Sequence, residues 1–74
     1  PQPFEGLTVF ENLLVAAAYG QGKPEAQVAE GCADVLRDTG LLARANQLAG
    51  SLSLLDRKRL ELARAMATGP ELLL

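Results

Sequence analysis

Mainly α, three helices followed by the start of one strand, is the fold class this sequence predicts. Three observations carry it. Apolar residues recur at helical spacing in three segments. Each segment is bounded by cap or stop residues. The last residues, Leu72-Leu73-Leu74, form an apolar run behind Gly69-Pro70 that reads as an incipient buried strand.

The chain opens with Pro1 to Leu7, read as an extended loop. Thr8-Val9-Phe10-Glu11 matches a capping box, in which hydroxyl and carboxylate satisfy each other's backbone donors. The first helix is predicted to run from there to about Tyr19 and to stop at Gly20. Val9, Leu13, Ala16 and Ala17 give its apolar stripe, which Phe10 and Leu14 widen. Leu7 and Asn12 stand where a hydrophobic staple would form, but Asn12 is polar. Tyr19 is expected to be half-buried at the helix end.

Pro24 suits the first position of a second helix, whose stripe is Val28, Cys32, Val35 and Leu36. Gly31 inside it costs about 1 kcal/mol relative to alanine, and its small size would let another helix approach. Gly40 is the stop. Leu41 to Arg44 reads as a short helical turn or a loop packed by its leucines; Asn46 to Gly50 carries no clear signal. Ser53 is a good N-cap for a third helix, Leu54 to about Thr68, and Asp56 is an acid in its first turn. Leu55, Leu62, Ala63 and Met66 are its expected inner stripe. Glu61 can pair with Arg57 or Arg64 across one turn.

Composition narrows the function classes. Seventy-four residues make at most one domain, and the net charge is −2, which does not suggest a nucleic-acid binder. The balance is uneven: residues 39–74 hold Arg44, Arg57, Lys58, Arg59 and Arg64 against Asp56, Glu61 and Glu71. An anionic partner would bind in that half. With no histidine and one cysteine, Cys32, neither a zinc site nor an internal disulfide is expected. Cys32 reads as a small core residue. No apolar run reaches membrane-spanning length. The absence of an initial Met and the final leucine run are expected of an internal piece of a larger α/β protein.

The third helix carries the chemistry. Arg57, Lys58 and Arg59 crowd its N-terminus, against the macrodipole, which favours anions there. An anionic ligand in front of the helix accounts for this economically, because a capped N-terminus presents free N–H groups to it. A solvated charge run is the plainer alternative for the three cations. An ordinary N-cap is the plainer one for Ser53.

Leu52-Ser53-Leu54-Leu55-Asp56, followed by Arg57-Lys58-Arg59 and Ala63-Arg64-Ala65-Met66, resembles the signature helix of ATP-binding-cassette (ABC) ATPases. The usual pattern is Leu-Ser-Gly-Gly-Gln, a basic pair, then Ala-Arg-Ala-Leu; here Leu54 and Leu55 replace the glycines and Asp56 the glutamine. Phe4 to Leu13 resembles the family's post-Q-loop segment, Leu-Thr-Val followed by Glu-Asn. Gly40-Leu41-Leu42 resembles the Gly-Leu before the signature, and Gly69 to Leu74 the lead into the Walker B strand. The four blocks stand in family order. Arg57 to Ala65 is most similar to the ATP-binding subunits of branched-chain amino acid importers.

The resemblance implies a three-helix helical subdomain of an ABC-type P-loop ATPase. It divides the single partial domain 1–74 into a post-Q-loop segment 1–8, a helical subdomain 9–50, the signature helix 51–69 and the start of the Walker B strand 70–74. It implies that Ser53, Leu54, Leu55, Asp56 and Arg57 contact the nucleotide of a second ATPase subunit, head to tail, with Arg57 and Lys58 offsetting the charge of Asp56. Phe4, Glu5 and Leu7 would touch transmembrane permease subunits, Phe4 alternatively serving as a core plug, and Arg64 would be structural. The cofactor implied is ATP, with Mg2+ held by residues outside this stretch, at the cytoplasmic face of a bacterial inner membrane. The chain has no phosphate-binding loop and no switch histidine, so hydrolysis is not expected of it alone and no catalytic residue is assigned. Its exposed leucines predict self-association. Two other classes compete: a non-transport ABC-type ATPase, and a small helical DNA- or protein-interaction module.

Overall fold

The computed structural model describes residues 3–69. The expected strand at 70–74 lies outside the described residues. The three expected helices are present: α1, Val9–Gln21; α2, Glu25–Asp38; and α3, Leu54–Thr68. Two 3₁₀ turns, Leu42–Arg44 and Ala49–Ser51, join α2 to α3. Helix α1 is central and packs on both α2 and α3.

Local chemistry explains most of the boundaries. The capping box forms: Glu11 N–H donates to Thr8 Oγ1 at 3.0 Å, and Thr8 N–H donates to Glu11 Oε1 at 2.8 Å. Helix α1 runs past the expected stop. Gly20 lies inside it, and the left-handed cap is Gly22 at φ 65°. Pro24 is the N-cap of α2 rather than its first residue. Helix α2 ends at Thr39, whose hydroxyl donates to Val35 O, and Gly40 follows at φ 79°.

Val9, Leu13, Ala17, Val28, Cys32, Leu36, Leu41, Ala49, Leu52, Leu60, Ala63 and Ala67 make one core. The expected stripes of α1 and α2 are on its inner faces. That of α3 is displaced by one residue, about 100° of helix rotation. Asp56, Leu60, Ala63 and Ala67 face inward, while Leu55 and Leu62 are exposed and Met66 lies at the margin. Only Ala63 of the expected set is buried. Small alanines at 63 and 67 allow α3 to approach α1 closely, which bulkier leucine and methionine side chains would prevent. Tyr19 projects into solvent rather than being half-buried. A Cβ added at Gly31 would meet no described atom within 4 Å, so no helix uses the expected close approach there.

Cys32 is buried in this core, and burial raises its thiol pKa above the ordinary value. It is therefore protonated at neutral pH. A thiol reagent at pH 8 is expected to label the folded chain at least about tenfold more slowly than the urea-unfolded chain. Equal rates would contradict this burial.

Candidate functional site: the capped start of α3

The N-terminus of α3 is built from the turn that precedes it. Leu48 pairs with Thr8 in an antiparallel bridge, and Ala49 N–H donates to Leu7 O at 2.9 Å. Val9 and Phe10 N–H groups donate to Gln47 and Ala45 carbonyls, each at 2.9 Å. The segment Asn46 to Gly50, which carried no clear signal in the sequence, is thus laid with Ala45 against the 5–10 stretch by backbone bonds. Leu52 anchors the next step in the core and leaves Ser53 extended.

Ser53 is the N-cap, as expected: its Oγ accepts from Asp56 N–H at 3.2 Å. The first helical bond is donated by Arg57 N–H to Ser53 O at 2.9 Å. The N–H groups of Leu54 and Leu55 precede that bond and point out of the helix end, where they can donate to an anion. Their side chains are among the most exposed leucines of the described chain.

Asp56 does not face forward. It is buried, with Oδ2 2.8 Å from Arg44 Nε and Oδ1 3.3 Å from Arg59 Nη1. Its charge is therefore answered by Arg44 and Arg59, not by the expected Arg57 and Lys58. Arg44 comes from the first 3₁₀ turn and also donates to Gln47 Oε1, which belongs to a side chain that binds Ser51. One carboxylate thus clamps the 42–51 connection onto α3. Arg44 gave no sequence signal beyond its charge, because its partner lies twelve residues away in chain order.

Arg57 turns backward. Nη1 lies 3.3 Å from Glu5 Oε2, and Nη2 donates to Gly50 O at 2.7 Å. The pairing of Arg57 with Glu61 expected from spacing is replaced by this longer-range one. Arg64, two turns along, sits over the Phe4 ring at 5.6 Å from its centroid, within cation–π range. Phe4 is half exposed, so the core-plug reading is set aside. Glu5 is exposed and Leu7 half-buried. The described residues bring the two predicted groups together: Phe4 and Glu5 lie against the same face of α3 that begins at Ser53.

Asn12 was missed as a functional residue by pattern reading. It is fully buried, and its side chain holds the 4–8 segment: Oδ1 accepts from Phe4 N–H at 2.7 Å, and Nδ2 donates to Phe4 O and Thr8 O, each at 3.0 Å. The available signal was a polar residue beside an otherwise apolar stripe. Among the described residues no cluster of ligating side chains could hold a metal ion, and no helix is long and apolar enough to cross a membrane.

The chain is 37% identical over 87 aligned positions to the high-affinity branched-chain amino acid transport ATP-binding protein LivG of Salmonella typhimurium, covering 96% of this chain and 33% of that protein. It is 35% identical to LivG of Escherichia coli K12, with the same coverages. The methionine import ATP-binding protein MetN of Xanthomonas oryzae pv. oryzae is 42% identical over 53 positions, covering 72% of this chain and 16% of that protein. No family model and no solved structure matches the chain. The chain spans about a third of the length of the LivG relatives it matches. The motif blocks, the three-helix fold and these relatives agree: the chain belongs to the ATP-binding subunits of ABC transporters.

Proposed function

We propose that this stretch serves an ATP-binding subunit that couples ATP binding and hydrolysis to import of a small solute, a branched-chain amino acid by its similarity to LivG. In this reading Ser53 and the leading N–H groups of Leu54 and Leu55 meet the γ-phosphate of ATP held by a second, head-to-tail subunit. Asp56 and Arg57 complete that first turn. Mg2+ and the hydrolytic groups belong to residues outside the stretch. Phe4, Glu5 and Leu7 meet the permease on the cytoplasmic face of the membrane.

The observation that carries the reading is the Ser53-capped start of α3, whose first two N–H groups precede the first helical bond and belong to exposed residues, Leu54 and Leu55. A helix N-terminus with a hydroxyl cap stabilises phosphate charge. Leu54 and Leu55 add apolar surface in front of it, which a facing subunit would cover on closing. Arg44 and Arg59 hold the Asp56 carboxylate back from that front, which removes the repulsion a forward-facing acid would impose on a phosphate.

The test is Ser53→Arg in the full-length subunit. Because the signature acts on the other subunit's nucleotide, the variant is expected to retain ATP binding as a monomer. It is expected to lose ATP-induced dimerisation, with hydrolysis falling at least about a hundredfold, the loss of a charge-stabilising contact in a water-excluded site. Undiminished ATP-induced dimerisation and hydrolysis would overturn the proposal.

A further inference from the structure

Glu5, Gly50 and Arg57 come from three separate elements and meet at one point. Arg57 binds the Glu5 carboxylate through Nη1 and the Gly50 carbonyl through Nη2. Gly50 N–H closes the ring by donating to Glu5 O at 3.1 Å. A Cβ on Gly50 would lie 3.1 Å from Glu5 Cβ and 3.2 Å from Glu5 O, so the absence of a side chain is what lets the two backbones approach. Seven residues along α3, on the same face, Arg64 covers Phe4. Asn12 grips the Phe4 backbone from α1. Residues 4 and 5 are consequently tied to rigid elements on both sides and do not move as a free loop.

We infer that Arg57 is a positioning residue: with Glu5 and Gly50 it ties the 4–7 segment to the first turn of α3, so that displacement of that segment by a docked partner moves the Ser53 end of the helix. This rests on the proposed reading of segment 4–7 as the permease-facing part and of the α3 start as the nucleotide-facing part. Arg57 acts through the placement of Ser53 and the leading N–H groups, since its own guanidinium is committed rearward. Arg64 on Phe4 is the second anchor, which keeps the segment in register with the helix axis.

The link is tested in the full-length subunit assembled with its permease in lipid vesicles. The quantity read is the ratio of the permease-stimulated ATPase rate to the rate of the subunit alone. An exposed ion pair is worth up to about 1 kcal/mol, roughly fivefold. Glu5→Arg and Arg57→Glu are each expected to lower the ratio about three- to fivefold. The double variant, which restores opposite charges, is expected to recover at least half of the loss. Gly50→Ala contributes no group to either ligand; it is expected to lower the ratio while leaving the rate of the subunit alone within about twofold, the range of an ordinary surface change. An unchanged ratio in the single variants, or a double variant no better than its worse parent, overturns the inference.

Hydrogen exchange at the Gly50 amide, measured on the full-length subunit without permease, reads the tie itself. Arg57→Gln is expected to speed that exchange at least about threefold; an unchanged rate also overturns the inference. A wild-type subunit without ATPase activity fails the proposed function and the relay with it, and faster Gly50 exchange in that case identifies the ring as a structural tie alone.

Discussion

Asn12→Ala is expected to lower the unfolding free energy by about 2–3 kcal/mol in urea titration. Asn12 is fully buried and makes three short hydrogen bonds, two of them to the backbone of a single residue, Phe4. A side-chain amide supplies both an acceptor and a donor, which is what a residue outside regular structure requires at its N–H and its C=O. Truncation removes the acceptor of Phe4 N–H where water is partly excluded, at about 1–3 kcal/mol for a buried unsatisfied group, and leaves Phe4 O with only the longer bond from Leu7 N–H at 3.2 Å. It also opens a void where the fully buried side chain stood. Asn12→Leu separates the two terms, because it refills the volume and restores no hydrogen bond. It is expected to remain destabilising by more than about 1 kcal/mol. Faster exchange at the Phe4 amide should accompany both variants. A loss below about 0.5 kcal/mol for Asn12→Ala would show that Phe4 is held by other means.

Gly20→Ala and Gly31→Ala are expected to change stability in opposite directions. Both glycines lie inside helices, where alanine is ordinarily better by about 1 kcal/mol. At Gly31 a Cβ meets nothing within 4 Å, so the propensity gain is expected, about 0.5–1 kcal/mol. At Gly20 a Cβ would fall 2.7 Å from Thr68 O, 2.8 Å from Thr68 Cβ and 3.0 Å from Thr68 Cα. Two of those atoms are backbone and cannot rotate aside, so α1 and α3 must separate at their C-terminal ends. Separation would also stretch the bond that Gln21 Nε2 donates to Ala67 O at 2.7 Å. Overpacking of this kind costs about 1–3 kcal/mol. Urea titration of the two variants side by side checks both signs. A stabilising Gly20→Ala would mean that the α1–α3 approach is loose.

Features governed by near neighbours in the chain were legible in the sequence. The Thr8–Glu11 box and the Ser53 cap lie within one helical turn of the groups they satisfy, so their residue types declare them. The inner faces of α1 and α2 were legible because each has one dominant apolar stripe. Helix α3 has two, displaced by a single residue. Leu55, Leu62 and Met66 are the more hydrophobic, yet Leu60, Ala63 and Ala67 are buried. Periodicity does not choose between two stripes of equal period; the close fit against α1 does.

The site divides in the same way. Ser53 as the cap of a basic helix, and the four motif blocks in order, were legible in the sequence alone, and with them the family. The tertiary structure decided how the charges around that end are paired. Asp56 is satisfied from Arg44, and Arg57 is drawn to a carboxylate 52 positions away. It also decided which glycine is a packing requirement and which is only a weak helix former. A local pattern records the propensity of each residue and the spacing of its neighbours. Long-range pairing and close approach depend on which elements fold against one another, and that is set by the joint burial of the whole core.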